Sequence, residues 1–195
     1  MDRRFIERLK KRDEQAFNQL VLTYETQVLR LVWRMLGTRE EAEDMAQDVF
    51  VQVFKSIDSF RGDSKLSTWI YRIAMNLTRN RAKYMARRYH KSHSDIDSAE
   101  PREVHNEAQG RTSGETRRPD LQAMGNQAEQ IVVECLQSME SEFREILVLR
   151  DVECLSYDEV GKITGLAPGT VKSRLHRARN LLKAEVQERL GTQIS

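Results

Sequence analysis

The sequence predicts an all-α protein, two small helical bundles joined by a flexible linker, with a helix-turn-helix in the second bundle. Three observations carry this. Apolar residues recur at three- and four-residue steps through the folded stretches, the period of one buried helix face. Helix start and stop signals punctuate those stretches, such as Gly37 and Gly165 at their ends. No stretch reads as a credible strand.

Residues Asp2 to Lys11 read as a short basic helix, after which Asp13 can cap the next. That second helix runs to about Leu36, with Phe17, Leu20, Val21, Tyr24, Val28, Leu31, Val32 and Met35 at helical spacing. Gly37 stops it. Thr38 with Glu41 forms a capping box for a third helix, which carries Ala42, Met45, Ala46, Val49, Phe50, Val53, Phe54 and Ile57 on one face. Its other side holds Glu40, Glu43, Asp44, Gln47, Asp48 and Gln52. The helix dipole accounts for acids in the first turn, but Asp44, Gln47 and Asp48 lie beyond it. On spacing alone this face reads as solvated, with a partner surface as the alternative.

Phe60 to Lys65 reads as a loop, with Gly62 and Asp63 as turn residues. A long helix follows from about Leu66 to Arg88, burying Leu66, Ile70, Ile73, Ala74 and Leu77. Opposite that stripe stand Arg72, Asn76, Arg79, Asn80, Lys83 and Arg87, interleaved with Phe60, Trp69, Tyr71, Tyr84 and Tyr89. Cations alongside planar rings suit a splayed single-stranded nucleic acid, because bases stack on rings while the backbone seeks charge. Trp69 borders the apolar stripe and reads equally well as core or as base contact.

From Ser92 to Gln127 the periodicity lapses, and Pro101, Pro119, Gly110, Gly114 and Gly125 fall among scattered charges. This composition predicts a flexible linker over residues 92–128, between domains at 1–91 and 129–195. Helices resume through Ile131, Val132, Cys135, Leu136 and Met139, then through Phe143, Ile146, Leu147 and Leu149.

The stretch LSYDEVGKITGLAPGTVKSRLHRARNLLK, from Leu155 to Lys183, is the most informative. Ser156 and Glu159 form a capping box, and the short helix they start breaks at Gly165. Pro168 can then sit in the first turn of a new helix, where its missing N–H costs nothing. Val171, Leu175, Ala178 and Leu182 make one buried stripe on it. Two short helices across a tight turn make a helix-turn-helix. From Ala167 to Lys183 the second helix holds five cations (Lys172, Arg174, Arg177, Arg179 and Lys183) and no carboxylate. Thr170, Ser173, Arg174 and Arg177 are placed to meet base edges in a major groove, with Lys172, His176, Arg179 and Lys183 suited to phosphates.

The charge balance is nearly neutral, 32 Lys+Arg against 30 Asp+Glu, but the charges are segregated. Residues 61–91 hold nine Lys/Arg and one acid, whereas residues 129–159 hold nine acids and two Arg. Such asymmetry predicts two polyanion-facing surfaces and at least one face for another partner. Cys135 and Cys154 lie in apolar helical contexts and read as inert buried thiols in a reduced cytoplasmic setting. No ligand spacing links them to the four histidines, so no metal and no cofactor are expected. With no signal peptide and no apolar run of about 20 residues, a soluble cytoplasmic protein is expected.

Three segments together resemble the extracytoplasmic-function (ECF) group of bacterial sigma factors in the sigma-70 family. EEAEDMAQDVFVQVF at 40–54 is similar to that family's core-polymerase-binding helix. SFRGDSKLSTWIYRIAMNLTRNRAK at 59–83 is similar to its segment for melting and reading the promoter −10 element, and the helix-turn-helix to its −35-reading motif. The resemblance implies an alternative sigma factor that binds core RNA polymerase and directs promoter recognition. Asp44, Gln47 and Asp48 would dock on the clamp helices of the polymerase's largest subunit. Arg61, Lys65 and Ser67 in the loop, with Trp69 and Asn76, would hold a base flipped from the melted non-template strand, and Arg72, Arg79, Asn80 and Lys83 would track its backbone. Thr170, Lys172, Ser173, Arg174 and Arg177 would read the −35 duplex. The resemblance also implies an anti-sigma factor as partner, with no direct membrane insertion of this chain.

Two other classes fit less well. A helix-turn-helix regulator acting alone would use residues 1–90 for sensing or dimerisation, yet residues 61–91 carry a second basic, aromatic-rich surface. A nucleic-acid-modifying enzyme needs a metal cluster, an acid–base pair or an activated nucleophile. The acids at 40–48 share one helix with no matching group placed opposite, so no enzyme is expected.

Overall fold

Helix boundaries fall where otherwise unpaired backbone groups find partners. The computed structural model describes residues 3–94 and 130–193. Helix α1 spans Arg3–Lys10, and Asp13 then accepts the Ala16 N–H at 3.0 Å to start α2, Glu14–Leu36. Gly37, with φ 92°, ends α2 in the left-handed region that glycine enters freely. Helix α3 is Arg39–Ser56; its expected capping box is not formed, because the Thr38 side chain makes no cap hydrogen bond. A 3-10 turn, Ile57–Ser59, leads to the loop before α4, Leu66–Ser94. That helix continues past the expected end near Arg88 and into the predicted linker. The rest of the linker segment lies outside the described residues.

The second unit opens with α5 over residues 130–137. Helix α6, Ser141–Leu147, widens into a π-helical turn, Val148–Val152. Ser156 and Glu159 then form the predicted capping box at the start of α7, Tyr157–Thr164, and α8 spans Pro168–Gln193. All described elements are helical. Cys135 is buried, but Cys154 is exposed, sitting at φ 54° in the connection from α6 to α7. The expectation of two buried thiols is thus half wrong: a residue in that bend turns its side chain to solvent.

In the first unit Leu20, Leu31, Val32, Val49, Val53, Ile57, Ile70 and Met75 are fully buried where α2, α3 and α4 meet. Phe54 is the exception on its face, 44% exposed but packed against Phe17 with tilted rings whose centroids are 4.7 Å apart. In the second unit Leu136, Ile146, Leu149, Val160, Val171 and Leu175 form the interior, with α8 against α6 and α7.

The two units do not stand apart. Helix α4 packs along α7, α2 touches α6, and both interiors belong to one continuous apolar cluster. The C-terminal carbonyls of α2, which lack partners within their own helix, are capped from the second unit. Gln137 donates to the Arg34 carbonyl at 3.0 Å, and Arg144 donates to the Met35 carbonyl at 2.6 Å. Arg144 also reaches the Gln137 and Met139 carbonyls at 3.0 Å, so one guanidinium ties α2 to the α5–α6 corner.

Candidate nucleic-acid interface

Three surfaces carry the residues singled out by sequence. The first is the outer face of α3. Asp44, Gln47 and Asp48 are all exposed, and no ion pair among the described residues engages either aspartate. Val51, 50% exposed one turn beyond Gln47 and Asp48, extends the stripe with an apolar group. Helices α6, α7 and α8 make no substantial contact with α3.

The second surface is the loop before α4 and the outer face of α4. Gly62 sits at φ 84°, so the turn that projects Arg61 and Asp63 needs glycine. Phe60 and Trp69 close the base of the loop, their rings 5.4 Å apart. Trp69 is only 5% exposed, and in this arrangement it is part of the core. Arg61, Lys65, Arg72, Asn76, Asn80, Lys83 and Arg87 are exposed, while Ser67 is half-buried. Tyr84 is 53% exposed on the same helix, Tyr71 is buried, and the Tyr89 side chain lies outside the described ones.

The second unit covers part of this surface, and its acids do most of the contacting. Arg79 donates through Nε to Glu145 at 3.0 Å and also through Nη2, while Nη1 reaches Asn76 at 3.1 Å. Lys65 pairs with Glu159 at 3.1 Å, and the Thr68 hydroxyl donates to the same carboxylate at 3.4 Å. Lys162 of α7 donates to the Asp63 carbonyl at 3.3 Å. Behind them the Tyr71 hydroxyl donates to Glu153 at 3.1 Å, and Arg34 approaches Glu153 at 3.4 Å.

These carboxylates differ in electrostatic character. Glu159 accepts the Ser156 N–H of its capping box, an interaction that, with the help of Lys65, draws its carboxyl down to about 2. Burial pushes Glu153 above the usual carboxylate range, against the opposing pull of Tyr71, Arg34 and Arg30. The Tyr71 hydroxyl is itself pushed up, first by burial and then by the charge of Glu153.

The third surface is the exposed side of α8. Lys172, Ser173 and Arg177 are exposed, with Thr170 and Arg174 half-buried. Arg174 pairs with Glu142 at 2.7 Å, and Arg179 pairs with Asp151 through both nitrogens, at 2.8 and 2.6 Å. Lys172 lies 5.6 Å above the Tyr157 ring. The helix has no carboxylate of its own in this stretch, but α6 and the turn after it supply two. Sequence reasoning missed Glu142, Glu145, Asp151, Glu153 and Glu159 as partners of the cations. The signal was present in the opposite charge bias of residues 61–91 and 129–159.

Such a chain, with two cationic helix surfaces on separate units and an acidic face apart from both, has the build of a transcription initiation factor. Comparison with known proteins assigns it: residues 20–89 match Sigma-70 region 2 and residues 129–182 match Sigma-70, region 4. The chain belongs to the sigma-70 family, in its ECF group, and is a sigma factor directing promoter-specific transcription, a non-enzymatic role. It is similar to the ECF RNA polymerase sigma-E factor of Escherichia coli (strain K12), 35% identical over 186 residues covering 95% of this chain and 94% of that protein. The RNA polymerase sigma-H factor of Pseudomonas aeruginosa is 32% identical over the same shares of the two chains. Among solved structures, CnrH in complex with the cytosolic domain of CnrY shares the fold at a TM-score of 0.67 and 22% identity, over 96% of this chain and 97% of that one. The sigma factor RpoE bound to the anti-sigma factor NepR from Bartonella quintana does so at 0.60 and 24%, over 88% and 96%. Among the described residues no helix is long and apolar enough to cross a membrane.

Proposed function

We propose that this sigma factor reads the −35 element as duplex and the −10 element as melted non-template strand, from two units that core polymerase holds apart. Residues 1–91 form the unit for polymerase binding and the −10 element, and residues 129–195 the unit for the −35 element. Asp44, Gln47 and Asp48 dock on the clamp helices of the largest polymerase subunit. The loop residues Arg61, Lys65 and Ser67, with Asn76, hold a flipped base over the buried Trp69, and Arg72, Arg79, Asn80 and Lys83 follow its backbone. Thr170, Ser173, Arg174 and Arg177 read base edges in the −35 major groove, and Lys172 holds the phosphates beside it.

The observation that carries this reading is the separation of roles. The acidic face of α3 is exposed while acids of the second unit occupy Arg79 and Lys65 on the −10 surface. The free chain can therefore meet polymerase while part of its −10 surface is covered. Extruding a base costs a few kcal/mol of stacking, so a covered reader does not melt DNA on its own. Once polymerase fixes the distance between two weak readers, effective concentration makes the pair specific. An anti-sigma factor acts on the same surfaces; CnrH and RpoE have been solved in complex with the cytosolic domain of CnrY and with the anti-sigma factor NepR, respectively.

The test is capture of core RNA polymerase by the wild-type chain and by Asp44→Arg/Asp48→Arg. The double reversal abolishes capture without changing helical content. A wild-type chain that ignores polymerase yet binds one duplex sequence tightly by itself would instead establish an autonomous regulator.

A further inference from the structure

Lys162 of α7 reaches across the boundary between the units, where its ammonium donates to the Asp63 carbonyl at 3.3 Å. At that crossing lies a cleft of about 500 Å³, walled by the loop at residues 59–64, by Thr68, Trp69 and Arg72 of α4, and by Lys162 itself. Its size falls within the about 300–1,000 Å³ of small-ligand sites. Among the described residues Lys162 alone brings the second unit to this wall, so the cleft is complete only while the units are packed together.

Three cations, Arg61, Arg72 and Lys162, converge on this cleft, and among the described residues none of them is in an ion pair. That sets them apart from Lys65 and Arg79 on the same surface, which Glu159 and Glu145 already neutralise. The wall holds one carboxylate, Asp63, exposed on the loop. Like charges gathered in a concave site raise the local concentration of a small counter-ion, and an anion between them relieves their mutual repulsion. The rings here are closed off: Phe60 and Trp69 are only 6% and 5% exposed. The cleft therefore offers charge and little stacking surface, which favours a phosphate chain over a base.

We propose that this cleft binds a compact phosphate chain, a di- or triphosphate either free or carried by a nucleoside, between Arg61 and Arg72 of the first unit and Lys162 of the second. Because the anion needs both units, it is a ligand of the closed chain and holds it closed. A ligand that binds one of two states better shifts the equilibrium towards that state. Reciprocally, whatever opens the chain expels the ligand. When the units separate, Lys162 leaves and Arg61 and Arg72 are released to promoter DNA. That last step rests on the −10 reading above; the anion site itself does not.

The full chain is titrated with inorganic pyrophosphate and with ATP, both free of metal and at an ionic strength held constant with chloride, and binding is read by calorimetry. Wild type takes up a single anion. Lys162→Ala weakens binding about tenfold or more, the scale of one hydrogen bond to a charged group, with helical content unchanged. Lys162→Arg retains binding, and Asp63→Asn, which removes the carboxylate from the wall, tightens it. Equal affinity for the two anions identifies the phosphate chain alone as the ligand, whereas tighter binding of ATP identifies a nucleoside polyphosphate. Pyrophosphate also lowers capture of core RNA polymerase by wild type and leaves capture by Lys162→Ala unchanged. No uptake by wild type, or the same affinity in wild type and Lys162→Ala, would overturn the site. Uptake that depends on Lys162, alongside a holoenzyme that holds single-stranded −10 DNA no better than core polymerase does, would leave the site standing and remove the −10 reading.

Discussion

Arg79 and Glu145, 66 positions apart, meet across the two units: the guanidinium that faces the −10 surface is held by a carboxylate only 8% exposed on α6. A hydrogen bond to a charged group is worth about 1.5–3 kcal/mol, so the pair biases the closed arrangement by roughly ten- to a hundredfold. Glu145→Gln weakens that bias while preserving size and shape. The isolated variant gains about tenfold in affinity for single-stranded −10 DNA at low salt, measured by anisotropy, with its circular dichroism unchanged. Equal affinity in wild type and variant would mean that the pair does not govern access.

Glu153 and Glu159 respond to pH in opposite directions. The folded state draws Glu159 down from 4.5 to about 2, so its contribution is complete above 4.5 and is lost as pH falls towards 2. Burial raises Glu153, so its favoured neutral form stabilises the fold below the usual carboxylate value, and that help is lost as pH rises through the raised one. At pH 7 the charged Glu153 is therefore a cost, as half-buried ion pairs often are. Glu153→Gln, which keeps an acceptor for the Tyr71 hydroxyl, raises Tm at pH 7, and the gain shrinks in acid. A lower Tm at pH 7 would show that Arg34 and Tyr71 more than offset the burial.

On α8 the substitutions sort by role. Arg177→Ala, at an exposed base-reading position, costs about 1–3 kcal/mol on the preferred −35 sequence and relaxes selectivity there. Lys172→Ala weakens all sequences alike. Glu142→Gln releases Arg174 from its 2.7 Å pair and tightens duplex binding slightly, because exposed pairs contribute at most about 1 kcal/mol. Competition binding by holoenzyme against a panel of −35 duplexes separates the three.

The helices and their order were legible because each has its own period and punctuation: Asp13, Gly37, Ser156 with Glu159, and Gly165 mark ends that the chain uses. Thr38 misled because a capping box needs a side chain turned back onto the helix, and sequence does not reveal its rotamer. Candidate surfaces on α3, α4 and α8 were legible as charge patterns. Their cover was not, since Glu145 and Glu153 reach α4 only through the packing of α7 along α4 and the wide turn after Leu147. Long-range pairing is set by tertiary contact, and periodicity is blind to it. The opposite biases of residues 61–91 and 129–159 record that contact as attraction, whereas each segment read by itself suggested a separate partner. Trp69 shows the same limit: bordering both stripes, it is decided by the Phe60 ring that meets it.

The central claim is that the units close on one another in the free chain and separate on polymerase. Fluorescent probes at two exposed positions, Thr26 on α2 and Ala184 on α8, report that distance in a variant whose two cysteines are replaced. The account predicts one short-distance population for the free protein and a shift to a longer one when core polymerase is added, with Asp44→Arg/Asp48→Arg remaining short. A free chain already at the long distance, or a short distance that persists in transcribing holoenzyme, would contradict it.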